Sequence, residues 1–71
     1  MEVRVPLNIV LGWIGEAYTP GYDTYQIDFC GTILHIQLYE DGGYASVIST
    51  RNFSIDDLNE SSYCMEVIGV Y

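Results

Sequence analysis

The sequence predicts an α+β fold: an antiparallel sheet of about four strands, one packed N-terminal helix and a short second helix, in the order α-β-β-β-α-β. Three observations carry this. Apolar residues from Leu7 to Tyr18 recur at steps of three and four, the spacing of one helix face. After Tyr22 the period drops to two and holds through successive runs. Ser54-Ile55-Asp56-Asp57, between the third and last runs, reads as a capped helix start with acids where the helix dipole favours them.

Each element follows from local chemistry. Residues 2–5, Glu-Val-Arg-Val, alternate as a short strand or arm would, and Pro6 then breaks the pattern or opens a helix. The helical reading of Leu7–Tyr18 places Leu7, Val10, Leu11, Ile14, Ala17 and Tyr18 on one face, with Asn8, Gly12, Gly15, Glu16 and Thr19 opposite. Two glycines and several β-branched residues lower its helix propensity, and a strand with Ile9, Leu11 and Trp13 inward is the rival. Thr19-Pro20-Gly21-Tyr22 has proline and glycine where a type II turn needs them.

The strands come next. Tyr25, Ile27 and Phe29 face one way, against Thr24, Gln26 and Asp28. Gly31 ends that run. Leu34, Ile36 and Leu38 then alternate with Ile33, His35, Gln37 and Tyr39, and Glu40-Asp41-Gly42-Gly43 supplies a tight reversal. Tyr44–Thr50 is the third strand. The second helix runs from Ser54 to near Ser61. Tyr63–Val70 alternates again, with apolar residues in both phases, which reads as a central strand.

Length and composition bound the rest. Seventy-one residues make one compact domain, 1–71, without room for a second core. A chain that is 49% hydrophobic is not disordered, and most of that apolar material is committed to a small core rather than to a deep substrate pocket. Ten acids face two bases, Arg4 and Arg51, for a net charge of −8. A chain without lysine cannot neutralise a run of phosphates, so direct binding to nucleic acid or to an anionic membrane is not expected. A basic protein surface is the natural complement, against the plain reading that acidity confers solubility. There is no basic region followed by a cleavable hydrophobic run, and no stretch of membrane-spanning length, so a cytoplasmic protein is expected. Cys30 and Cys64 form neither a CxxC nor a zinc pattern; they read as two free thiols in the core, with one disulfide between them as the alternative.

Little in the chain points to catalysis, a cofactor or a metal. His35 is the lone histidine; as a general base it would need a nucleophile and an orienting carboxylate, and no local signature supports Cys30 or Ser61 in the first role. Asp41-Gly42-Gly43 lacks the spaced ligands and terminal glutamate of an EF-hand loop. The acids instead gather on outward-pointing elements: Glu40 and Asp41 at a hairpin tip, Asp56, Asp57 and Glu60 on the short helix, Asp23 and Asp28 bracketing a strand. Strand positions two apart lie about 6.6 Å from each other and helix neighbours four apart about 6 Å, spacings that can lay out charge as a nucleic-acid backbone does. Seven tyrosines cannot all be buried in so small a core. Tyr22, Tyr39 and Tyr44 lie near turns and strand ends and are candidate contact residues, against ordinary β-propensity as the plain reading. The Leu7–Tyr18 helix, apolar nearly all round, is a candidate homodimer surface.

With Glu40-Asp41 and Asp56-Asp57-Leu58-Asn59-Glu60 in view, the chain resembles, in overall character, the phage-encoded anti-CRISPR and DNA-mimic inhibitors. That resemblance implies a stoichiometric inhibitor, in the host-cell cytoplasm, that occupies a basic nucleic-acid-binding surface of a larger effector complex such as a CRISPR effector. The alternative is a small structural or regulatory accessory subunit that binds its partner through an apolar, tyrosine-rich surface.

Overall fold

A computed structural model describes residues 1–71 apart from the side chain of Glu40. The elements are β1 (Glu2–Pro6), α1 (Leu7–Ile14), β2 (Thr24–Phe29), β3 (Thr32–Tyr39), β4 (Tyr44–Ile48), α2 (Ile55–Glu60) and β5 (Met65–Val70), with short 3-10 turns at Gly15–Ala17, Glu40–Gly42 and Ser62–Cys64. All five strands join one sheet in the order β1-β4-β3-β2-β5, and every neighbouring pair is antiparallel. The α+β class and the three-strand meander agree with the sequence reading. The strand count does not.

The fifth strand is β1. Its alternation was already visible; what sequence alone did not supply was its partner. Val3 pairs with Val47 and Val5 with Ala45, so the N-terminal segment lies along β4. The terminal ammonium donates to the Ser49 carbonyl at 2.7 Å, and the Ser49 N–H returns a bond to the Met1 carbonyl at 3.0 Å. Pro6 is the last residue of this edge strand, paired with Tyr44, and stands as the cap of α1 rather than inside its first turn.

The helical reading of Leu7–Tyr18 holds for its first eight residues. The α-helix stops at Gly15, whose φ of 58° and ψ of −130° form a backbone conformation that costs little only when no Cβ is present. Val10 and Ile14 are buried, while Leu7, Ile9, Leu11, Trp13 and Ala17 pack half-buried against the core. Tyr18 is not part of that stripe: it is exposed, with its ring stacked against Tyr25 at 6.5 Å.

The core lies between the helices and one face of the sheet. Tyr25, Ile27 and Phe29 of β2, Leu34, Ile36 and Leu38 of β3, and Ala45 and Val47 of β4 all point into it, joined by Val10, Ile14 and Leu58 from the two helices. Tyr25 is fully buried because its phenol is satisfied: it donates to the Tyr22 carbonyl at 3.1 Å and accepts from the Thr19 N–H at 3.0 Å. Both bonds come from the type II turn, which closes with the Tyr22 N–H on the Thr19 carbonyl at 3.1 Å. Ser54 caps α2 in a complete capping box: its hydroxyl accepts from the Asp57 N–H at 3.1 Å, and its own N–H donates to the Asp57 carboxylate at 3.2 Å.

β5 corrects the sequence reading a second time. It is an edge strand, not a central one. Its apolar residues appear in both phases because of a bulge. Ile27 pairs with Val67 but Gln26 pairs with Gly69, so Ile68 is an extra residue and the alternation flips across it. Met65, Val67 and Val70 pack on the core while Ile68 is exposed.

Candidate functional site

The sheet has one covered face and one open face. On the open face the register aligns residues in rows across the strands. One row runs Glu2, Ile48, His35, Gln26; the next runs Arg4, Ser46, Gln37, Thr24; a third joins Pro6, Tyr44 and Tyr39. Ile33, Asp28 and Glu66 make a fourth. Ile33, Tyr39, Ile48 and Ile68 stay substantially exposed. Short polar links tie the rows: the Ser46 hydroxyl donates to Glu2, and the Thr24 hydroxyl donates to Gln37 at 3.1 Å. The surface is therefore mixed, with isoleucines and tyrosines set among amides, rather than a field of carboxylates.

The residues singled out from sequence separate into two ends of the molecule. Tyr22, Asp23, Tyr39 and Asp41 come together: with Gly21 and Leu38 they line a shallow groove of about 430 Å³ beside the β3–β4 reversal. All four side chains are exposed. Tyr44 adjoins this group, half-buried, with its ring 5.2 Å from that of Tyr39 and the Arg4 guanidinium over it, 4.7 Å from the ring centroid. The side chain of Glu40 lies outside the described residues.

At the other end, Asp57 and Glu60 line a second groove, of about 390 Å³, with Phe29, Cys30, Arg51, Asn52, Phe53 and Ser61. Asp56 is exposed on the same helix. Six-residue β2 separates the two ends, which at about 3.3 Å per residue places them roughly 20 Å apart. Exposed charges that far apart are screened from each other at physiological salt, where the Debye length is about 8 Å. The acids thus form two separate patches rather than one continuous run.

Two of the chosen acids also have work inside the fold. Asp57 completes the capping box of α2. Asp28 is half-buried, and its carboxylate accepts the Gly31 N–H at 2.9 Å, holding the two-residue turn between β2 and β3. Asp28 also faces Glu66 directly across the β2–β5 pair, an arrangement that is unfavourable for like charges.

Sequence reasoning missed part of this surface. Tyr63 and Tyr71 are 83% and 60% exposed, more than any tyrosine chosen from the sequence. Ile33 and Ile48 stand out only once the register is known, although the alternation of β3 had already put Ile33 on the face away from the core. His35 sits on the open face between Ile48 and Gln26, with no carboxylate directly opposite it. Among the described residues no group of three His, Cys, Asp or Glu side chains is arranged to hold a metal ion. No helix is long and apolar enough to cross a membrane.

The cysteines also differ from the sequence reading. Both are free thiols, but Cys30 is exposed rather than buried in the core, and Cys64 is half-buried. Cys30 occupies the turn between β2 and β3 at φ 49°, outside the packed layer. The Cys64 thiol beside it, with desolvation and the Asp28 carboxylate adding to the effect, pushes the Cys30 thiol above its ordinary pKa.

No protein-family model, curated protein or solved structure matches this chain.

Proposed function

We propose that this chain is a non-catalytic binding protein that docks on a basic protein surface, of the kind that otherwise holds nucleic acid. What supports this reading is the state of its only two arginines. Arg4 lies over the ring of Tyr44 at 4.7 Å and Arg51 over the ring of Phe53 at 5.4 Å. Among the described residues neither forms an ion pair with a carboxylate. Ten acids against two bases leave a net charge of −8 to attract a basic partner. Exposed aromatic and aliphatic side chains beside the acids supply the apolar contact that charge alone does not. The inhibitory role and the CRISPR-type effector remain part of this proposal.

The test is retention of partners on the immobilised protein, eluted along a salt gradient with and without added DNA or RNA. Release at moderate salt and loss of retention with nucleic acid are expected. Binding that resists both salt and nucleic acid would overturn the reading. That outcome would favour the second one, an accessory subunit docking through the open sheet face, which rests on the exposure of Ile33, Ile48, Ile68 and Tyr39. Self-association through α1 has less to draw on: Val10 and Ile14 are buried under the sheet, and Asn8, Gly12 and Glu16 face outward.

A further inference from the structure

The register of β2 against β5 runs Ile27 with Val67, Asp28 with Glu66, and Phe29 with Met65. The ladder ends there, and the next residue on each side is a cysteine: Cys30 follows Phe29 and Cys64 precedes Met65. These are the only two cysteines of the chain, and the fold brings them together from opposite ends of a segment of about 35 residues. Cys30 lies in the β2–β3 turn and Cys64 ends the 3-10 turn that leads into β5, where it packs against the edge of the core. Phe29 and Met65, as directly opposed antiparallel positions, have Cα atoms about 4.5–5.5 Å apart, and the two cysteines flank that pair. A disulfide spans a Cα separation of about 4.4–6.8 Å, within reach of two residues that flank such a pair. The mutual influence of the two thiols is already visible in the direction of the Cys30 shift.

We propose that Cys30 and Cys64 are a thiol–disulfide modification site, closing reversibly to a cross-link that ties the β2–β3 turn to the segment entering β5. The co-reactant is a low-molecular-weight disulfide such as oxidised glutathione. The exposed Cys30 sulfur attacks it as the thiolate, forming a mixed disulfide and releasing one glutathione thiol. The Cys64 thiolate then attacks the Cys30 sulfur, the Cys30–glutathione bond breaks, and the second glutathione leaves as a thiol. Two protein thiols are oxidised, one glutathione disulfide is reduced, and the two protons end on the two glutathione thiols. Exposure decides the order of events, since Cys30 is open to solvent and Cys64 is half-buried. The charged groups around the pair are Asp28 on β2, Arg51 on the loop before α2, and Asp57 and Glu60 on α2. The Cys64 thiol, desolvation and the Asp28 carboxylate disfavour the Cys30 thiolate, and the first step accelerates as pH rises.

The experiment incubates the folded protein with oxidised glutathione, quenches it with acid, blocks remaining thiols with a maleimide and weighs the intact chain. The expected product has lost two hydrogens, carries no maleimide and no glutathione, and returns to the dithiol on reduction. Cys64→Ser should instead accumulate glutathione on Cys30. A parallel incubation in urea separates a site built by the fold from chance collision of two thiols, and the cross-link should form several-fold more slowly there. The proposal is overturned if the folded wild type keeps glutathione adducts, keeps two thiols open to maleimide, cross-links between chains, or closes no faster than the unfolded chain.

Discussion

The two ends of the sheet both carry acids, more of them around α2, and use them differently. Around α2, Asp57 is held in a capping box and Asp28 pins a hairpin turn. At the β3–β4 reversal, Asp23 and Asp41 are exposed beside Tyr22 and Tyr39; the Asp23 carboxylate shares the neighbouring Thr24 hydroxyl, at 3.2 Å, with Gln37. An acid that completes a cap is explained by the fold. An acid that lines an exposed groove next to tyrosines is not, and it is the better candidate for contact with a partner. The difference separates acidity that builds the protein from acidity available to something else.

That contrast can be broken most forcefully at the α2 end. Leu58→Ala removes a fully buried side chain that fixes α2 to the core and should cost about 2–5 kcal/mol, read from urea denaturation. If the loss were negligible, α2 would not be anchored and its acids would not be structural. Cross-linking Cys30 to Cys64 should move stability the other way. A closed loop of about 35 residues corresponds to roughly 4 kcal/mol in the chain-entropy account, measured as a higher urea midpoint for the oxidised form. A lower midpoint would mean that the turn and the β5 entry do not meet without strain.

Smaller effects sharpen the same comparison. Ser54→Ala should cost about 1 kcal/mol through loss of the cap. Asp23→Asn with Asp41→Asn should change stability by less than about 0.5 kcal/mol, since neither supports an element of the fold. The same double variant should weaken binding to a basic partner more than Asp56→Asn with Glu60→Gln, which removes equal charge from the other end; titration calorimetry against that partner measures both. Equal losses would erase the distinction and leave bulk charge as the explanation. The smallest effect concerns the thiol. Cys64→Ala removes the first cause of the raised Cys30 pKa, so alkylation of Cys30 at neutral pH should quicken; an unchanged rate would mean that Asp28 and the local carboxylates dominate.

Local chemistry made much of the fold readable. The period-two runs fixed which residues of β2, β3 and β4 face the core. The serine followed three residues later by an acid located the start of α2, and Pro20-Gly21 located the turn that satisfies Tyr25. Two of the misreadings share a cause, a partner far away in the chain, and the third is a local turn. β1 gains its meaning from β4, more than forty residues later. β5 looked central because a bulge at Ile68 changes the phase of its alternation, and a bulge is defined only against the opposing strand. Cys30 is apolar enough for a core but sits in a turn whose backbone takes it outside the packed layer. At the candidate site, composition marked the acids, yet nothing local said that Asp28 would serve a turn while Asp23 and Asp41 would share a groove with tyrosines.

The bulge at Ile68 has a consequence beyond phase. An antiparallel sheet with flat, unpaired borders is a template on which further chains can add, and an apolar chain invites such growth. Here one border is kinked where Ile68 is squeezed out and Gly69 follows, and the other stops at Pro6, which has no hydrogen to offer a newcomer. The sheet is thereby terminated at five strands, and a chain that is 49% hydrophobic is discouraged from polymerising.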